Sequence, residues 1–330
     1  MILTWPNLGL PAPKVMILFS SFRCDARCVM CYTWVKQKWK PQLSLKQLEK
    51  ILGDPLIRRS IEIVNLAGGE PTLRNDLVDM VALLVEQCTR LKTIDIPTNG
   101  FQTDRVVDQV ERILALLANT RVELAVTISI DGIGVVHERI RGREGVFAQV
   151  TRTVEELKSL RGLYSRFRLG LNTVISRHNA DRVLLRQMLS FARSQDIALN
   201  FTPAAESEIG VESVAMKDQY ELTLPQRQEV SAFFEELRVE GLVSHPYAEF
   251  VINWLKTGHR SGGCAFRDGK VFLVEPDGES YLCGNYKDFR LGNLTREPLS
   301  KIWPHQRAFT KRAWDRRCTT CASNCYIGEA

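Results

Sequence analysis

Short, largely apolar runs alternate with amphipathic stretches through the first two-thirds of the 330-residue chain. Residues 15–19, 61–66, 93–97, 122–130, 168–175 and 198–203 are rich in Val, Ile and Leu and read as strands. Between them, residues 44–52, 76–88, 104–117, 146–160 and 180–194 carry apolar side chains at the three-to-four spacing of helices with one covered face. Strands buried on both faces and joined by helices predict a parallel sheet with right-handed crossovers. Six such units fall two short of a closed eight-fold barrel, so the expected fold is α/β, a partial (βα)6 TIM-like barrel. Such sheets carry their chemistry at the C-terminal ends of the strands.

The pattern changes after residue 205. Residues 206–258 read as polar loop and helix, with helical periods at 225–239 and 247–256. From residue 259 the chain is cysteine-rich, with strands at 271–274 and 280–283 about a Pro276-Asp277-Gly278 turn. The expected division is a barrel (1–205), a helical connecting segment (206–258) and a small β-hairpin/helix domain (259–330).

The composition, 45% hydrophobic and 25% charged, is ordinary for a globular protein. The net charge of +6 is spread along the chain, which suits an anionic small molecule and argues against a nucleic-acid partner. No apolar run approaches the ~18 residues of a membrane span, and the first residues lack the signal-peptide pattern. A cytoplasmic location is expected. In that reducing setting the nine cysteines point to metal ligation or redox chemistry rather than disulfides. Eight fall in two clusters, and Cys88, the exception, reads as apolar filler in a helix.

Cys24, Cys28 and Cys31 follow the first strand as C-x3-C-x2-C. Three thiolates on one short loop can converge on a soft metal centre. A structural zinc would need a fourth ligand from elsewhere in the chain, whereas a 4Fe–4S cluster with three thiolates keeps one iron open. The segment Cys24-Asp25-Ala26-Arg27-Cys28-Val29-Met30-Cys31-Tyr32 resembles the signature loop of the radical S-adenosylmethionine (SAM) superfamily. The resemblance implies that the three cysteines hold a 4Fe–4S cluster and that SAM chelates the fourth iron. It implies further that an electron from the cluster splits SAM into methionine and a 5′-deoxyadenosyl radical, which takes a hydrogen atom from the substrate. Tyr32 belongs to the same signature and is expected beside the cofactor. The superfamily's partial (βα)6 barrel agrees with the strand count.

Further motifs stand at successive strand ends. Gly68-Gly69-Glu70-Pro71 is by itself a tight strand-to-helix turn; it resembles the family's GGE motif, which implies binding of the methionine ammonium. Thr98-Asn99-Gly100 and Ser129-Ile130-Asp131-Gly132 read as turn and cap residues. The resemblance places Asn99 near the cofactor and Ser129 by the methionine or ribose. In His137-Glu138-Arg139-Ile140-Arg141-Gly142 it makes Arg141 the candidate for the SAM carboxylate. Asn172 is a candidate ribose contact or a satisfied core amide.

Cys264 and Cys283 bracket the C-terminal hairpin as C-x13-G-x4-C, and Cys318, Cys321 and Cys325 follow as C-x2-C-x3-C. Four such thiols suit an iron–sulfur cluster or a zinc site. With Gly292-Asn293-Leu294 and Ile302-Trp303, the region resembles the SPASM/twitch auxiliary-cluster domains. Full SPASM domains carry seven cysteines and two clusters; the five here imply one auxiliary 4Fe–4S cluster. Cys264, Cys283 and Cys318 are its expected ligands, with Cys321 or Cys325 as the fourth. The leftover thiol, Cys325 in one assignment, is a spare group or a hydrogen-atom donor.

The resemblance implies a flavodoxin- or ferredoxin-type electron donor. The first strand begins at Val15, leaving no room ahead of it for the leader-recognition domain that many peptide-modifying relatives carry. A sugar, aminocyclitol or nucleoside is therefore the expected substrate, with a peptide or protein as the alternative. A non-catalytic iron–sulfur or zinc protein would explain the cysteines but not the strand-end motifs.

Overall fold

The computed structural model describes residues 11–36, 42–209, 214, 217–303 and 318–322. Its elements run β1 (Val15–Ser21), α1 (Thr33–Lys36), α2 (Leu45–Leu52), α3 (Pro55–Ser60), β2 (Ile63–Gly68), α4 (Leu77–Gln87), β3 (Thr93–Thr98) and α5 (Thr103–Leu117). There follow β4 (Glu123–Ser129), α6 (Val135–Arg141), α7 (Val146–Arg161), β5 (Phe167–Ile175), α8 (Arg182–Gln195) and β6 (Ala198–Pro203). The remainder is α9 (Lys217–Tyr220), α10 (Leu224–Val239), α11 (His245–Thr257), β7 (Val271–Val274), β8 (Glu279–Tyr281), β9 (Arg290–Asn293) and α12 (Leu299–Ile302).

Among the described residues the strands form one sheet in the order β6-β5-β4-β3-β2-β1-β7-β8-β9. β1 to β6 are parallel neighbours in chain order, the partial (βα)6 barrel. Along β3 and β4 every second residue is buried (Ile94, Ile96; Leu124, Val126, Ile128) under the helical layer. The alternate positions, among them Asp95 and Thr127, face the lumen and stay partly exposed. Local chemistry sets the helix ends. Ser44 and Thr223 form capping boxes with Gln47 and Gln226, and Asp54 caps α3, which opens on Pro55.

The C-terminal hairpin does not stand apart from the barrel. β7 lies parallel to β1, with Val15 opposite Val271 and Leu18 opposite Val274. β8 and β9 then continue the sheet antiparallel. β1, which carries the first cysteine loop at its end, is thus a central strand shared by both regions. The sequence pattern missed β9, α3 and α6, whose four, six and seven residues are too short to show a period. No helix among the described residues is long and apolar enough to cross a membrane.

Candidate active site

The loop after β1 is held from two sides by backbone hydrogen bonds. From one side, Gly69 N donates to Ser21 O (2.7 Å) and Glu70 N to Arg23 O (2.8 Å). A Cβ on Gly68 would lie 2.3 Å from Ser21 O, and one on Gly69 2.1 Å from Arg23 O, so both positions need glycine to let the backbones approach. From the other side, Arg27 N donates to Arg141 O (2.8 Å) and Val29 N to Ile140 O (3.0 Å). The loop thereby satisfies carbonyls at the C-terminal end of α6 that the helix leaves open.

This clamp sets Cys24, Cys28 and Cys31 on the wall of a cavity of about 380 Å³ at the C-terminal ends of the strands. Gly68, Gly69, Glu70, Asn99, Ser129 and Arg141 line the same cavity. Cys28 is buried, with Cys24 and Cys31 partly so. Burial pushes the Cys24 thiol up, reinforced by Cys28. It raises Cys28 to about 11, against the pull of the Arg141 guanidinium. These thiols favour a metal over solvent as the partner of their thiolates. Among the described residues no three His, Cys, Asp or Glu side chains converge as one ion would require. Three thiols ranged along a cavity wall suit a cluster with one iron per thiol.

Glu70 is buried in the cavity floor. Its Oε1 accepts from Thr98 Oγ1 (2.8 Å), Thr72 Oγ1 (2.7 Å) and Thr72 N (3.2 Å), and its Oε2 from Asn99 N (2.7 Å). Burial raises its pKa and these donors lower it. Asn99 in turn donates through Nδ2 to Asp25 Oδ1 (2.7 Å), tying the end of β3 to the cysteine loop. The buried Glu70 carboxylate, close to the thiols on the same cavity wall, offers a charge-assisted acceptor for an ammonium group.

Arg141 Nε lies 2.7 Å from Asp131 Oδ2, and its Nη1 donates to Cys28 Sγ (3.7 Å). Asp131, fully buried, also accepts from Val174 N (2.8 Å) through Oδ1. The sequence read Asp131 as a turn or cap residue and did not show its pairing with Arg141. His137 Nδ1 accepts the Asp131 N–H (3.1 Å), and its ring packs edge-on to Phe101 and Phe147. Burial lowers the His137 pKa to about 3. The unfolded chain therefore binds a proton near pH 6.5 that the folded chain refuses. This contribution is fully present above pH 6.5 and is lost as pH falls toward 3, by up to about 1.4 kcal/mol per pH unit. Urea unfolding at pH 6.5 and 5.5 should show a smaller pH difference in His137→Phe than in the wild type; equal differences would refute it.

Two expected residues lie elsewhere. Tyr32 turns toward Trp34 (ring centroids 6.4 Å apart), and Trp34 lines the cavity instead. Asn172 lines a second cavity of about 790 Å³ in the barrel lumen, bonded to Asn200 and Thr202. The two cavities share Pro97, Ser129 and Thr202.

In the C-terminal region Cys264 precedes β7 and Cys283 follows β8, and Cys318 and Cys321 come back against them. Burial raises Cys283 and Cys318 each to about 12, with the neighbouring thiols adding to the shift. Asn285, which sequence reasoning missed, donates from its backbone N to Cys283 Sγ (3.4 Å) and from Nδ2 to Cys321 Sγ (3.5 Å). This donor set, with Cys283 buried, Cys264, Cys318 and Cys321 half-buried, and N–H groups aimed at sulfur, fits an iron–sulfur cluster. Cys325, the other candidate for the fourth ligand, lies outside the described residues.

Comparison with known proteins agrees with this geometry. A family model of the radical SAM superfamily matches residues 18–173, and one of the SPASM iron–sulfur cluster-binding domain matches residues 264–326. The chain is 30% identical over 320 residues to Fe-coproporphyrin III synthase of Methanosarcina barkeri (strain Fusaro / DSM 804), covering 85% of this chain and 71% of that protein. It is 26% identical over 322 residues to mycofactocin maturase MftC of Mycolicibacterium smegmatis (strain ATCC 700084 / mc(2)155), covering 96% of this chain and 76% of that one. It is 23% identical over 331 residues to the antilisterial bacteriocin subtilosin biosynthesis protein AlbA of Bacillus subtilis (strain 168), covering 96% and 64%. The fold is similar to the solved structure of native anSMEcpe with bound AdoMet and Kp18Cys peptide (TM-score 0.64, 20% identity, covering 94% of this chain and 89% of that one). The chain belongs to the radical SAM superfamily, as an enzyme with a C-terminal SPASM domain that binds SAM and iron–sulfur clusters.

Proposed function

We propose that this enzyme modifies a peptide. The observation that carries this reading is its similarity, over 96% of its length, to proteins named as a mycofactocin maturase and a subtilosin biosynthesis protein. The weight therefore moves from the sugar, aminocyclitol or nucleoside expected from sequence to the peptide alternative. The cavity is compatible with it: the lining runs from the Cys24–Cys31 loop past the end of β6 to Asn285 of the C-terminal region.

When bound, SAM and the reduced cluster supply one-electron chemistry that removes a hydrogen atom from the substrate. The chain's own residues prepare the place. Cys24, Cys28 and Cys31 would hold the cluster. Glu70, with Thr98 and Asn99 fixing its carboxylate, would bind the ammonium of SAM, and Ser129 would face its methionine or ribose. Phe19, Met30 and Trp34 form apolar wall that keeps water from the reacting atoms. Arg141 is engaged by Asp131 and Cys28, and we assign it to the cluster loop as well as to the SAM carboxylate. Reduction calls for a one-electron donor protein of the flavodoxin or ferredoxin kind.

A second reading, synthesis of an iron porphyrin, draws on the similarity to Fe-coproporphyrin III synthase. One experiment separates the two. Reduced, reconstituted enzyme is incubated with SAM and either deuterated peptides encoded beside its gene or an iron tetrapyrrole precursor. Deuterium in 5′-deoxyadenosine together with a mass change in a peptide is expected. Formation of Fe-coproporphyrin III with every peptide unchanged would overturn the peptide reading in favour of the second.

A further inference from the structure

Asn285 touches both functional regions at once. It is buried and lines the wall of the cavity that holds the Cys24–Cys31 loop. On its other side its two N–H donors meet Cys283 Sγ at 3.4 Å and Cys321 Sγ at 3.5 Å. A cluster-bound thiolate accepts hydrogen bonds and donates none, so the carboxamide must turn its NH2 toward Cys321. The residue is itself held in place by the segment after β6. Glu208 N donates to Asn285 O (2.6 Å), Ser207 Oγ to Gly284 O (3.3 Å), and Lys287 N to Glu208 Oε2 (3.2 Å).

We infer that the Asn285 side chain is a positioning residue that fixes the Cys321 sulfur, while its backbone N–H holds Cys283 Sγ, and that it raises the reduction potential of the auxiliary cluster these thiols hold. Reduction adds one electron to the cluster and its thiolates, and N–H dipoles aimed at sulfur stabilise that added negative charge. The same residue lines the cavity, so the donor lies at a wall the substrate would meet.

The test is an EPR-monitored potentiometric titration of the anaerobically reconstituted protein, with dithionite as reductant and without SAM or substrate. Asn285→Leu should shift the reduction equilibrium of the C-terminal cluster about tenfold toward the oxidised form. For a one-electron couple that is about 59 mV lower. Asn285→Asp, of the same size but anionic, should lower it further. The Cys24–Cys28–Cys31 cluster should keep its wild-type potential in both. A wild-type potential for the C-terminal cluster in the loaded fraction of both variants overturns the inference. So does an equal fall at both clusters, which a general loss of packing would produce. No substrate is present, so the outcome is independent of whether the substrate is a peptide.

Discussion

Reconstituted Cys28→Ala protein should form no detectable 5′-deoxyadenosine from SAM under reducing conditions, and should hold about four iron atoms per chain where the wild type holds about eight. Cys28 is the buried member of its trio, and its sulfur takes the Arg141 hydrogen bond. With it gone, two thiols remain to grip a cluster that already leaves one iron to SAM. Cys264 and Cys283 flank the β7–β8 hairpin, and none of Cys264, Cys283, Cys318 and Cys321 lines this cavity, so the C-terminal cluster should load normally. Cys88→Ala is the control: that thiol is buried beyond the end of α4, among the described residues away from both clusters, and its loss should change neither iron nor product. Iron analysis and chromatography of the SAM products read both results. A Cys28→Ala protein with full iron and wild-type product would remove the basis for placing the reactive cluster on this loop.

The second large effect concerns stability. Asp131→Ala should destabilise the fold by about 3–5 kcal/mol, because it leaves the buried Arg141 guanidinium without its counter-charge. The Asp131 carboxylate has two duties. Oδ2 pairs with Arg141, and Oδ1 accepts the Val174 N–H, which joins the ends of β4 and β5. Asp131→Asn should lose the charge pairing and keep the strand contact, and so should cost less than alanine. Removing both charges together, as in Asp131→Asn with Arg141→Met, should cost less than the sum of the single changes, since neither ion is then stranded. Urea unfolding of the reconstituted proteins under anaerobic conditions measures all four. An alanine variant within about 1 kcal/mol of the wild type would mean that solvent reaches the guanidinium and the pair is not the buried brace described above.

Much of the architecture could be read from local pattern. The six parallel strands follow from runs of β-branched residues separated by amphipathic helices, a signal carried within each segment. β7 was placed to the residue, and β1 to β6 to within a few. The Cys24, Cys28 and Cys31 spacing and the GGE turn were equally local, since their ligands or glycines lie within a few positions of one another. The geometry explains why the glycines are required: a Cβ at Gly68 or Gly69 would strike the backbone of the cysteine loop.

What the sequence by itself determined was therefore the partial barrel, the two cysteine centres and the radical SAM family. What only the tertiary structure decided was how these parts meet. Arg141 reaches Cys28 across 113 positions, and Asn285 reaches Cys321 across 36. Asn172 has the right strand and level for a cofactor contact, yet its Oδ1 accepts from Asn200 and Thr202 and it lines the neighbouring lumen. The hairpin was legible as a hairpin, but its docking on β1 rests on register between residues some 250 apart, Val15 and Val271 among them. Periodicity and spacing report forces between near neighbours along the chain. Long-range hydrogen bonds and ion pairs form only after the barrel has closed around them, so they leave no pattern in a single sequence.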